Sequence, residues 1–105
     1  MAKFERTLSG EFEDIVYSIE DYFTQNENIK LVDKVFIRDG SIKCFTIVFD
    51  KYNKYLENKM SLTITLFNYS GGLIRMVAII SGIEGEEFID EEIYKELNEI
   101  IWKNK

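Results

Sequence analysis

Histidine and proline are absent from this 105-residue sequence, and it holds one cysteine, Cys44, and one tryptophan, Trp102. Without histidine there is no Ser-His-Asp or Cys-His nucleophile, no histidine-based zinc site and no imidazole general base. A single cysteine excludes an internal disulfide framework. The longest uninterrupted apolar run, 76–80, is far short of the roughly 20 residues that cross a bilayer. The opening residues lack an apolar stretch of signal-peptide length, so the expectation is a cytoplasmic protein. No GxGxxG or GxxxxGK[ST] pattern occurs, and Gly71-Gly72 reads as a turn because no helix follows it. Linkers, repeats and low-complexity segments are missing as well.

What is present describes a folded domain. Hydrophobic residues make up 46 % and charged residues 30 %, and the net charge is −6. These fractions belong to a globular chain, not to a disordered acidic tail. A chain of this length buries roughly two-thirds of its unfolded surface, so it requires neither metal nor disulfide staples. One domain, 1–105, is expected. Lysine outnumbers arginine ten to three, beside 15 isoleucines and 7 asparagines. That bias fits AT-rich codons and hence a bacterial source.

Periodicity gives the element order. Residues 3–8 alternate as a short strand, with Phe4 and Leu8 on one side, although Arg6 shares that side. Ser9-Gly10 offers a helix cap, with Glu11, Glu13 and Asp14 in the following turn. Phe12, Ile15, Val16, Ile19 and Phe23 then fall on one helical face. A strand is expected over 29–37, a hairpin turn at Asp39-Gly40, and a partner strand from Ser41 to about Tyr52. Residues 60–69 alternate most cleanly, and Ser70-Gly71-Gly72 turns the chain into a strand over 73–81. Asp90 is a candidate cap for a last helix over 91–103, with Ile89 stapling onto Tyr94. Its buried stripe is Ile93, Leu97, Ile100 and Ile101, with Trp102 nearly opposite. The expected fold is α+β in the order β-α-β-β-β-β-α, an antiparallel sheet with both helices packed on one face.

A two-residue turn after Tyr69 puts Leu62, Ile64 and Leu66 on one sheet face with Arg75, Val77 and Ile79. Thr63, Thr65 and Phe67 then share the opposite face with Ile74, Met76, Ala78 and Ile80. Either Phe45, Ile47 and Phe49 or Cys44 and Val48 join that second face. Two helices cannot cover both faces of such a sheet. A contiguous uncovered apolar face asks for a partner, and a second copy is the simplest. Thr63, Thr65, Phe67, Met76 and Ala78 are therefore the candidate interface. The alternative is a mixed, strongly curled surface that needs no cover. A second candidate site is an apolar pocket between the sheet and the first helix, lined by Phe23, Leu31, Phe36, Tyr52 and Leu66. Full packing of those five against one another is the plainer reading.

Charge is segregated. Residues 11–27 carry six acids and no base, whereas 28–83 carry four acids and eight bases. The negative total argues against nucleic-acid or anionic-membrane binding. Lys51, Tyr52, Lys54, Tyr55 and Lys59 interleave bases with aromatics, but three lysines suit a solvated loop better than a nucleotide contact. Glu84, Glu86, Glu87, Asp90, Glu91 and Glu92 crowd one segment without the spacing of a calcium loop, and acids gather at helix starts for dipole reasons alone. No metal or cofactor is implied. Cys44 sits on a two-sidedly apolar strand, a setting for a structural thiol and not for a nucleophile.

The opening Met1-Ala2-Lys3-Phe4-Glu5-Arg6, with Leu8-Ser9-Gly10, Phe12 and Ile19-Glu20, resembles a family of small uncharacterised proteins of Firmicutes-type bacteria, a domain of unknown function. Phe49-Asp50-Lys51-Tyr52 and the strand Ser61-Leu62-Thr63-Ile64-Thr65-Leu66 fit as well, and the last helix matches loosely. The resemblance implies no activity. The element order is also similar to the half-repeat of TATA-binding-protein-like folds, in topology only. Three functions are thus in view. The first is a non-enzymatic, self-associating cytoplasmic interaction domain, a homodimer. The second is a carrier of a small apolar ligand. The third, an enzyme working with carboxylates alone, ranks last.

Overall fold

A computed structural model describes residues 2–53, 58–70, 72–82 and 91–103. Strand β1 (Ala2–Ser9) leads into helix α1 (Phe12–Thr24). Four strands follow: β2 (Ile29–Asp39), β3 (Ile42–Asn53), β4 (Asn58–Ser70) and β5 (Leu73–Ser81). Helix α2 (Glu91–Lys103) closes the order. The strands form one antiparallel sheet in the order β1-β5-β4-β3-β2. The α+β architecture expected from periodicity is the observed one.

Burial and register show that both helices lie on one face. Phe45, Ile47 and Phe49 of β3 stand opposite Leu66, Ile64 and Leu62 of β4. The latter three stand opposite Met76, Ala78 and Ile80 of β5. All nine are at most 5 % exposed, and they form a single core with Phe12, Ile15, Val16, Ile19 and Phe23 of α1 and Leu97 and Ile100 of α2. Trp102 is 73 % exposed, as its angle on α2 requires. In β1, Phe4 and Leu8 are buried, while the Arg6 guanidinium reaches out over the Phe4 ring at 4.1 Å. Arg6 is exposed, so its charge stays in water while the guanidinium rests on the ring, which reconciles Arg6 with an apolar side.

Two turns differ from expectation by one residue. The residue before α1 is Glu11, not Ser9 or Gly10, and its side chain makes no capping bond. Gly10 has φ 137°, a conformation that glycine adopts readily, so the chain bends there before the helix can begin. The β2–β3 turn is Gly40-Ser41, with Asp39 paired to Ile42 and Gly40 at φ 60°. The Asp90 cap, Ile89, and the acids Glu84, Glu86 and Glu87 lie outside the described residues, as do Lys54 and Tyr55.

The largest correction concerns register. Ser70 pairs with Leu73 across the β4–β5 turn, but a bulge between Asn68 and Ser70 shifts the ladder, so that Asn68 pairs with Ile74 and Leu66 with Met76. Because side chains alternate with a period of two, that extra residue exchanges the faces of β5 relative to β4. Ile74, Met76, Ala78 and Ile80 turn inward, beside Leu62, Ile64 and Leu66. The expectation that put Met76 and Ala78 with Thr63 and Thr65 is overturned. Burial decides the matter: one bulge lets both apolar sets leave water together.

Candidate functional site

The sheet face away from the helices carries no element among the described residues. The row nearest the β4–β5 turn reads Thr7, Arg75, Phe67, Cys44, Ile37 across all five strands. The next reads Glu5, Val77, Thr65, Thr46, Val35, and the third Lys3, Ile79, Thr63, Val48, Asp33. Cys44, Thr46, Val48, Thr63, Thr65, Val77 and Ile79 are half-buried by their neighbours alone. Val35, Ile37, Ile42, Phe67 and Leu73 are 39–57 % exposed. This is a contiguous patch of β-branched and aromatic side chains, with a Thr46–Thr65 hydroxyl contact of 3.4 Å near its centre.

Of the five candidate interface residues, Thr63, Thr65 and Phe67 do share this open face. Met76 and Ala78 are 0 % exposed beneath the helices. The face instead gains Val77 and Ile79, and from the hairpin Val35, Ile37 and Ile42. A signal for the β5 residues was present in the sequence. The set Leu73, Arg75, Val77, Ile79, Ser81 contains a cation and a serine, so it is the more polar half of β5 and suits the threonine side of β4. Phe45, Ile47 and Phe49 lie under the helices, and Cys44 and Val48 on the open side.

The pocket candidates do not converge. Phe23 and Leu66 are 0 % exposed, and the Phe23 ring sits 5.2 Å from that of Phe49. Phe36 closes the other end of α1, its ring 5.6 Å from Phe12 and 5.9 Å from Phe45. The helix–sheet seam is therefore filled by rings. Leu31 and Tyr52 do line one open concavity of about 550 Å³ with Val32, Lys30 and Lys59, at the far end of the β2–β3 hairpin. Val32 protrudes there because a second bulge falls between Leu31 and Asp33.

Charge segregation has a structural outlet on the covered side. Glu13 of α1 accepts a hydrogen bond from Lys43 Nζ at 2.7 Å and forms an ion pair with Arg38 at 3.1 Å, and Lys34 reaches Glu20 at 3.1 Å. The acids of α1 thus sit over the bases of β2 and β3. The Lys43 hydrogen bond, aided by both cations, holds the Glu13 carboxyl below its ordinary range. Between the helices, the Tyr22 hydroxyl donates to Glu99 at 2.6 Å, and that bond raises its pKa because losing the proton would set two anions together. Among the described residues, no group of three or more Cys, Asp or Glu side chains is placed to hold a metal ion, and no helix is long and apolar enough to cross a membrane.

These features define a small α+β domain with one helix-covered face and one open, half-apolar face. The chain belongs to a family of unknown function, DUF6054, whose model matches residues 1–100. The crystal structure of TTHA0849 from Thermus thermophilus is similar at 12 % identity and a TM-score of 0.32, over 98 % of this chain and 87 % of that one. No curated protein matches the chain.

Proposed function

We propose that this protein is a non-enzymatic interaction domain of the bacterial cytoplasm that joins a second copy of itself through the open face of its sheet. One observation carries the reading: Val35, Ile37, Ile42 and Phe67 stay 39–57 % exposed on a face already dense with half-buried valine, isoleucine and threonine. Antiparallel sheets that face water carry mostly polar side chains outward, whereas in the three rows that cross this face apolar side chains are nearly as many as polar ones. The bacterial setting is supported by the lysine, isoleucine and asparagine bias, and the Firmicutes-type origin by the resemblance of the opening segment. The lone thiol accords with a reducing compartment.

Light scattering across a concentration series tests the reading. The expected mass is twice the 12.4 kDa of one chain, falling to that of a single chain on dilution. Val35→Lys together with Ile37→Lys should leave the fold intact and abolish the larger species, because both side chains point away from the core. A strictly monomeric native protein at high concentration overturns the proposal. A second reading rests on the concavity at Leu31, Val32 and Tyr52, whose apolar walls are flanked by Lys30 and Lys59 and equally by Glu27 and Asp50: a small apolar ligand would fit there. Native mass spectrometry with a retained adduct supports that reading, and bare protein removes it.

A further inference from the structure

The open face carries its charges unevenly. On β1 and β5 they are Lys3, Arg75 and Glu5, a surplus of one positive charge, while Lys59 stands on the central strand β4 and belongs to neither side. On β3 and β2 they are Asp50, Asp33, Asp39 and Lys30, a surplus of two negative charges. Lys3 and Arg75 share one carboxylate, Glu5, at 3.8 and 3.6 Å, so a positive surplus remains on this side of the face among the described residues. One unbroken row has a basic and an acidic end: Lys3, Ile79, Thr63, Val48, Asp33. Read from either end it runs charge, aliphatic, threonine, aliphatic, opposite charge.

Resting on the self-association proposed above, we infer that the two copies meet face to face about a two-fold axis lying nearly along β4. That operator reverses each row. It sets Thr63 over Thr63 of the second copy, Ile79 over the second copy's Val48, and Lys3 over its Asp33, twice by symmetry. A two-fold across the strands would instead lay β1 over β1 and β2 over β2, like surplus against like. Stacked sheets run about 10 Å apart with their strands crossing at about 30°, which leaves long lysine and short aspartate side chains at the edges free to meet. The area suffices. Five strands at about 4.8 Å, covered over about 30 Å of strand, give about 700 Å² per copy, close to the roughly 800 Å² per partner of a stable interface. Lys3 and Asp33 thus set orientation, while the apolar centre supplies affinity.

The test uses the full chain and three variants: Lys3→Glu, Asp33→Lys, and the two combined. Both side chains are exposed, and circular dichroism with a melting curve establishes that each variant is folded. Sedimentation equilibrium should show the dimer weakened about tenfold by either single change, since each turns two rim attractions into repulsions. The combined variant exchanges the row's ends and should regain the native dissociation constant. A native dimer indifferent to the single changes, or one that the combined variant fails to restore, overturns this orientation and leaves self-association standing. A native chain that stays monomeric overturns both.

Discussion

Met76 and Val77 are neighbours in sequence and stand on opposite faces of β5, so lysine at each provides a direct measure of the β4–β5 register. Met76 is 0 % exposed and lies between Arg6 of β1 and Leu66 of β4, under the helices. Lysine there forfeits about 1.5–3 kcal/mol of side-chain burial. It also carries an ammonium into the core, at a cost of several kcal/mol even after relaxation. A domain this size has about 5–15 kcal/mol of stability in total, so Met76→Lys should give no cooperative thermal transition by far-UV circular dichroism. Val77 is half-buried between Glu5 and Thr65 on the open side. Lysine there loses strand preference worth at most about 1 kcal/mol and stands beside a carboxylate. Val77→Lys should therefore keep a sharp transition, lowered by about 4–8 °C. In the unbulged register the two results would be exchanged. Comparable melting of both variants, or survival of Met76→Lys with loss of Val77→Lys, would refute the face assignment and everything built on the open face.

Three further outcomes follow from single sites. Phe23→Ala, which empties a fully buried ring site beside Phe49, should cost about 3–5 kcal/mol in urea unfolding; a loss below about 1 kcal/mol would mean that α1 is loosely seated. Glu13 has a folded pKa below its ordinary 4.5, so its ion pairs add stability above about pH 4.5 that disappears as pH falls through the lower folded value. The contribution is less than about 1 kcal/mol at so exposed a site; Glu13→Gln should lower stability at pH 7 and bring no change near pH 2, and the opposite pH trend would contradict the Lys43 and Arg38 contacts. Gly82 has φ +100°, and a Cβ there would lie 3.0 Å from the backbone carbonyl of Lys59; Gly82→Ala should destabilise by about 1–3 kcal/mol, and a neutral effect would show that the β5 exit relaxes freely.

The local elements were legible because each is dictated by near neighbours. The stripe Phe12, Ile15, Val16, Ile19, Phe23 specifies α1 and its buried side, and all five side chains are buried. The angular position of Trp102 specifies its exposure. Alternation in 60–66 specifies which side of β4 faces inward, and the acids of 11–27 against the bases of the hairpin anticipate the Glu13 and Glu20 ion pairs. The interface and pocket candidates were only partly legible. Thr63, Thr65 and Phe67 follow from β4 alone, but Met76 and Ala78 depend on how β5 sits against β4, and Phe23 and Leu66 on how tightly α1 closes on the sheet.

Local sequence, through period and turn chemistry, thus determined the order of strands and helices and the inner side of most of them. Only the folded molecule decided the relation between β4 and β5. A residue skipped at Tyr69 leaves the glycine turn intact, costs part of one ladder step, and moves four side chains of β5 from one side of the sheet to the other. Within β5 only Arg75 and Ser81 lean toward the observed outcome, and they do not fix it. The helices do, because Ile74, Met76, Ala78 and Ile80 escape water only when they lie beneath α1 and α2, and the threonine side is left for whatever meets it.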